Sequence, residues 1–423
     1  MKLLIAFHHV TLIDGTGREP VRDATVAIRE GRIVYAGTSR TWLPSLEEDI
    51  LNIDFSGKYL LPGLIDCQVH LARSGEAHGR MQGGDGAVAL RMLLNAQRNL
   101  AAGITTVRDP GGWNGLEFSV REALQRGDFC GPRLVLGGKC ITGSQAAAAQ
   151  SAGSFRLAKG PDQVRSAARE NLRRGAEALD LCADSPLLIQ QDVPAALQLT
   201  ADEMQAAVQE AHSAGRRAVA RARGVEGIRQ AVLAGADVIQ HGSYLHKSRE
   251  LVEQMKARGT FLVPALSAGR VLAQGGTSRV PSWIVERLMD AHEAAKKSVR
   301  LAHQAGIPVA MGSSAGTPLN RHGENGLEAL SLQGAGMKPM EALVASTLTA
   351  ARALGLEEQI GSIEENKIAD LLVLDSDPLE DLQRLADRRQ IRAVFTGGRV
   401  AARRPSDSYP KTILVRDNLQ LGQ

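Results

Sequence analysis

The sequence predicts an α/β chain. A central (β/α)8 barrel spans residues 60–363, and a small β-sandwich is assembled from residues 1–59 and 364–423. Three observations carry this. Strand-like apolar runs alternate with helical patterns through the middle of the chain. The helical stretches repeatedly stop at glycine, just before the next run. Both ends of the chain are rich in short β-type segments separated by turn residues.

The N-terminal segments Leu3–Phe7, Ala24–Ile28, Arg32–Ala36 and Ile50–Ile53 are aliphatic or β-branched, with Asp14-Gly15-Thr16-Gly17 and Glu30-Gly31 as turns between them. The C-terminal segments Ala369–Leu374, Ile391–Phe395 and Arg399–Ala401 repeat the style, with Gly397-Gly398 as a turn. Neither end holds enough apolar residues for its own core, so the two are expected to pair.

In the middle, the expected strands are Leu64–His70, Ile104–Asp109, Arg133–Leu136, Ala178–Leu181, Arg217–Ala220, Val238–His241, Phe261–Pro264 and Val309–Gly312. The expected helices include Val88–Ala102, Asp162–Arg174, Ala201–Ala214, Val225–Ala234, Ser248–Arg258 and Ile284–Ala305. Gly103, Gly175, Gly215, Gly235, Gly259 and Gly306 are read as left-handed C-terminal stops. Short connections favour right-handed crossovers, and that rhythm closes a barrel. An open doubly wound sheet is the alternative, but no Gly-rich phosphate turn follows the first strand.

Composition narrows the function. At 423 residues with 43% hydrophobic and 23% charged, the chain has material for a sizeable core, so global disorder is excluded. A net charge of +4 and 3% aromatic residues argue against nucleic-acid binding. No run approaches the roughly 18 apolar residues of a membrane span, and Leu3–Phe7 is too short for a signal-peptide core. Cys67, Cys130, Cys140 and Cys182 are widely spaced, which suits a reducing compartment. The expectation is a cytoplasmic protein acting on a small molecule, with neither nucleic acid nor membrane as partner.

Barrel chemistry sits at the C-terminal ends of strands. That singles out Gln68 and His70, Asp109, Asp180 and Cys182, Arg221 and Arg223, His241, and Ser313 with Ser314. Strand alternation puts Gln68 with His70, Asp180 with Cys182, and Arg221 with Arg223 on shared faces. Asp109 is read as capping the turn Pro110-Gly111-Gly112.

These segments resemble the amidohydrolase superfamily, in its imidazolonepropionase-like and prolidase-like branch. Asp14-Gly15-Thr16-Gly17 with Ala27-Ile28-Arg29-Glu30-Gly31-Arg32-Ile33 is similar to its opening hairpin. Leu61-Pro62-Gly63-Leu64-Ile65-Asp66-Cys67-Gln68-Val69-His70 is similar to its first barrel strand, and Asp237-Val238-Ile239-Gln240-His241-Gly242 to its sixth. Gly312-Ser313-Ser314-Ala315-Gly316-Thr317-Pro318 is similar to the eighth. Gly336-Met337-Lys338-Pro339-Met340-Glu341-Ala342-Leu343 and Gly361-Ser362-Ile363-Glu364-Glu365-Asn366-Lys367-Ile368-Ala369-Asp370-Leu371 are similar to its C-terminal signature. The resemblance implies a TIM barrel that holds two divalent metals on a His-x-His, a carboxylated lysine, two further histidines and an aspartate.

This sequence departs from that ligand set. The His-x-His reads Gln68-Val69-His70, Asp180 stands for the lysine, Arg221 for a strand-five histidine, and Ser314 for the aspartate. Only His70 and His241 remain. A hydrolytic zinc takes about three protein ligands and an open water position. Arg221 has no lone pair to offer, and it adds a fixed positive charge. No bound cofactor is therefore expected; a single weakly held divalent metal on His70, Asp180 and His241 is the alternative.

The expected catalytic residues are Asp180, Arg221, His70 and His241. An Asp180–Arg221 pair would stand in for metal electrostatics, with the histidines moving protons. Gln68, Ser314, Cys182, Tyr244 and His322 are the expected substrate-binding residues. The expected function is metal-independent acid–base or anion-stabilised chemistry, such as cyclisation, isomerisation or elimination. The substrate is a small amide, lactam, imide or carboxylate. The alternatives are a non-catalytic homologue (a ligand-binding or partner subunit) and a C–N bond hydrolase with one weakly bound metal. Homo-oligomerisation is implied only by the family.

Overall fold

The computed structural model describes residues 3–44, 49–76, 83–150, 153–185, 187, 195–273 and 280–421. The glycine pair Gly275-Gly276 lies outside the described residues.

Both ends of the chain join in one nine-stranded sheet. Leu4–Leu12 pairs antiparallel with Val21–Arg29, which continues antiparallel to Arg32–Thr38. The link between the ends is Tyr59–Pro62, a strand that sequence reading missed. It lies parallel to the end of Leu4–Leu12 and antiparallel to Leu371–Leu374. Ile391–Thr396, Arg399–Arg403 and a further unpredicted strand, Leu414–Gln420, complete the edge. Phe7, Phe55 and Phe395 meet in a core drawn from both ends, with ring centroids 4.8 Å apart for Phe7 and Phe395. Burial of apolar surface from both termini is what ties them together.

The middle of the chain is α/β. A three-stranded parallel sheet runs Leu64–Asp66, Ile104–Asp109, Arg133–Leu136. A six-stranded parallel sheet runs Phe155–Leu157, Cys140–Thr142, Ala178–Cys182, Arg217–Ala222, Val238–His241, Phe261–Val263. Backbone hydrogen bonds connect the two sheets on either side. Glu177 donates to the Leu136 carbonyl at 2.8 Å. At the other side Ala310 donates to Leu262, and Cys67 donates to Met311, each at 2.9 Å.

The eighth expected strand, Val309–Gly312, is reduced to a parallel bridge between Leu262 and Val309. Pro308 has no N–H to extend the ladder, although its carbonyl still accepts from Leu262. Pro264 likewise ends Phe261–Val263. The helices follow expectation to within a few residues: Asp85–Ala101, Pro161–Arg173, Ala201–Ser213, Val225–Ala234, Arg249–Arg258 and Ser282–Ala305. Gly235, Gly259 and Gly306 cap three of them at positive φ, a conformation glycine adopts without Cβ strain. No described helix is long and apolar enough to cross a membrane.

Candidate active site

A cavity of about 100 Å³ opens where the parallel strands end. Its walls carry Gln68 and His70 after the first strand, Asp109 at the end of the second, Arg221 and Arg223 at the end of Arg217–Ala222, His241 and Ser314. Arg73, Phe155 and Leu187 also line it. The alternation read from sequence therefore holds for Gln68 with His70 and for Arg221 with Arg223.

Each wall residue is held by its own element. The Gln68 backbone donates to Asp66 Oδ1 at 3.0 Å, and the Gln68 carbonyl accepts from the Ser314 backbone at 2.7 Å. Asp66 is buried and also accepts from Ser313 and Asn325, so one carboxylate braces the first strand against the Ser313-Ser314 turn. His241 and Ser314 both sit at positive φ, 71° and 57°, an uncommon conformation that turns each side chain out of the strand direction. The Gln68 side-chain nitrogen lies 3.3 Å from His241 Nε2.

Arg221 donates through Nη2 to the Pro110 carbonyl at 2.7 Å, and its guanidinium stands 5.8 Å from the centroid of the Phe155 ring. Its Nε has no hydrogen-bond partner. Neither do Gln68 Oε1, Asp109 Oδ2 and Ser314 Oγ, although Gln68, Asp109 and Ser314 are almost wholly buried. Buried polar atoms are nearly always satisfied, so four orphans on one cavity wall mark a place for a ligand or water.

Burial sets the protonation of the wall. It pushes His70 and His241 well below the ordinary imidazole range, and the neighbouring guanidiniums of Arg221 and Arg223 add to the effect. Both rings are neutral at pH 7. Burial pushes Asp109 well above the carboxylate range, with Glu117 adding to the rise. Burial also lowers Arg223 to about 10, which leaves it protonated at neutral pH.

Several expected site residues lie elsewhere. Asp180 is fully buried, outside the cavity lining. It forms its ion pair with Arg108 at 2.5 Å, in place of the expected partner Arg221. Arg108 comes from the adjacent three-stranded sheet and is itself buried, so it reaches the carboxylate from behind the cavity wall. Cys182 packs away from the cavity with Cys140, Ala147 and Phe155, its sulfur 3.1 Å from that of Cys140. Tyr244 turns toward Asp290, to which its hydroxyl donates. His322 braces the wall from outside: its Nε2 donates to the carbonyls of His70 and Arg73 at 3.1 and 2.9 Å. Asp109, assigned from sequence to a turn, faces the cavity instead, and Arg73 does too.

The residues present do not fit the family's metal pair. His70 and His241 are joined by Gln68 and Ser314 where further ligands would be needed. The Asp180 carboxylate is committed to Arg108, and the Arg221 and Arg223 guanidiniums face the cavity. Among the described residues no group of three or more His, Cys, Asp or Glu side chains comes together in a way that could hold a metal ion.

The chain thus has a parallel α/β frame with a polar cavity at its strand ends. The chain belongs to the amidohydrolase family, which matches residues 59–401. It is 28% identical over 425 residues to the ochratoxinase of Aspergillus niger, covering 92% of this chain and 85% of that one. It is similar to the crystal structure of a Xaa-Pro dipeptidase with methionine bound in the active site (TM-score 0.83, 26% identity, 94% and 99% of the two chains). A prolidase complexed with N-methylphosphonate-L-proline matches with TM-score 0.84 and 27% identity over 94% and 99% of the chains.

Proposed function

We propose that this chain is an amidohydrolase-family enzyme that acts, without a metal ion, on a small molecule bearing an amide, lactam, imide or carboxylate. In this reading the strand segments close into a (β/α)8 barrel over residues 60–363, and the paired ends form the β-sandwich. The single observation that carries the activity is the seat of Arg221. Its guanidinium, with an orphaned Nε, lines the same cavity as His70 and His241. The dipeptidase and prolidase among the structural relatives support a substrate with an amide-type bond.

The division of labour follows from the charges. The Arg221 fork accepts the negative charge that develops on a substrate carbonyl oxygen, a role oxyanion donors fill in water-poor sites. A neutral His70 or His241 takes a proton from the substrate. Asp109, whose carboxyl burial raises well above its ordinary range, returns one. Two sets of titratable groups pushed in opposite directions around one cavity suit proton transfer, so cyclisation, isomerisation and elimination are favoured over attack by an unactivated water.

The reading is tested by turnover across a panel of small amides, lactams and imides, with and without a chelator. Chelator is expected to leave the rate unchanged, and Arg221→Gln to lower kcat by roughly 10²–10³-fold. Full activity in Arg221→Gln would overturn it. The retained pair His70 and His241 favours a second reading, C–N hydrolysis with one weakly held metal; activity that appears only on adding zinc would select it.

A further inference from the structure

We propose that the cavity is a binding site for a compact dianion, such as a short dicarboxylate or a phosphate-type oxyanion, seated on Arg221 and Arg223 with Ser314 as a further donor. The inference rests on the same reading of the cavity as a ligand site, and it names the charge and size of what enters.

Charge is the first argument. Three arginines, Arg73, Arg221 and Arg223, line a space of about 100 Å³. Asp180 forms its ion pair with Arg108 at 2.5 Å and reaches Arg221 only as a neighbouring charge shared between the two guanidiniums. What Arg221 does hold is the neutral Pro110 carbonyl and the face of Phe155. Arg223 has Asp184 as its near carboxylate, whose Oδ2 also accepts the backbone N–H groups of Arg223 and Gly224 at 2.6 and 2.7 Å. The only carboxyl among the described residues of the cavity wall, Asp109, has an unpartnered oxygen and is buried next to Glu117. Three guanidiniums converging on one small, poorly solvated space favour an anion supplied from solution.

Geometry is the second. The orphaned donors are Arg221 Nε and Ser314 Oγ, and guanidinium N–H groups bind carboxylate and phosphate oxygens in a fork. Gln68 Oε1 leaves an acceptor position for a ligand hydroxyl or N–H, and Asp109 Oδ2 is a further unpartnered oxygen on the wall. The volume is well below the roughly 300 Å³ of a drug-sized pocket, which selects a ligand of few atoms.

The test uses the full chain, with sodium malonate, sodium phosphate and sodium acetate as probes at matched ionic strength. Thermal melting and titration calorimetry are read together. The expected result is a saturable rise in melting temperature with malonate, phosphate or both, and a much smaller one with the monoanion acetate. A malonate-only response assigns a dicarboxylate site and a phosphate-only response a phosphate-type site; either supports the inference. Arg221→Gln is expected to weaken the bound dianion by about tenfold or more. Arg223→Gln and Ser314→Ala, which keep Arg221, are expected to weaken it less. No saturable response in the wild-type chain, or equal affinity in wild type and all three variants, would overturn the inference. Dianion binding without turnover of any substrate would sink the enzymatic reading alone. Turnover by Arg221 without dianion binding would sink the anion site alone.

Discussion

Arg108 and Asp180 face each other at 2.5 Å with side-chain exposures of 2% and 0%, across the junction of the two parallel sheets. This pair holds the Asp180 carboxylate outside the cavity lining, so that it acts on Arg221 only as a neighbouring charge. The electrostatics of the site follow from that one pairing.

Breaking the pair from one side strands a buried charge. Arg108→Met or Asp180→Leu is expected to destabilise the fold by about 3–5 kcal/mol. The double substitution Arg108→Met with Asp180→Leu is expected to cost less than the sum of its parts. Denaturant unfolding of the single and double variants measures the coupling. Additive losses would show that the two side chains do not depend on each other.

Gly137 is the backbone's concession to the same carboxylate. A Cβ on this residue would lie 1.9 Å from Asp180 Oδ2, far inside contact distance. Gly137→Ala is therefore expected to lower stability by roughly 1–3 kcal/mol through forced displacement of a fixed ion pair. Combined with Asp180→Gly, which clears the space, the alanine is expected to add little further loss. The melting temperatures of the three variants check this.

Stability should depend on pH through Glu328. Its carboxylate receives the backbone N–H groups of Leu266 and Ser267, yet burial raises it to about 7 from an ordinary 4.5. Between those values the folded chain holds a proton that the unfolded chain has released. This group's contribution is therefore fully present below about pH 4.5 and lost as pH rises through 7. His322 acts in the opposite sense: burial lowers it to about 4, so the folded state gains stability as pH rises from 4 to 6.5. Comparing wild type with Glu328→Gln at pH 5 and pH 7.5 isolates the first effect. The wild-type advantage is expected to shrink at the higher pH, and an advantage that grows would contradict the assignment.

Much of this was legible in the sequence, and the reasons are specific. Strand ends could be read because Gly235, Gly259 and Gly306 punctuate helices by a local conformational rule. Gln68, His70, Arg221, Arg223, His241 and Ser314 reached the cavity because they close their strand runs on the right parity. The family pattern gave positions but not partners. Arg108 was passed over inside the run Ile104–Asp109, although a charged residue in an otherwise buried strand requires a counter-charge. That demand, applied to Asp180 as well, was the available signal. Asp109 was singled out at its strand end but assigned to a cap, because an Asp before Pro-Gly-Gly also suits a turn. Tyr59–Pro62 escaped because its pairing partners lie near the two ends of the chain, beyond any local pattern.

The central claim is that guanidinium groups hold the ground the family gives to cations. Elemental analysis of the chain purified without added metal, then dialysed against one equivalent each of zinc and manganese, tests it most directly. The account predicts well under one metal ion per chain in both samples. A stoichiometry near two would contradict it.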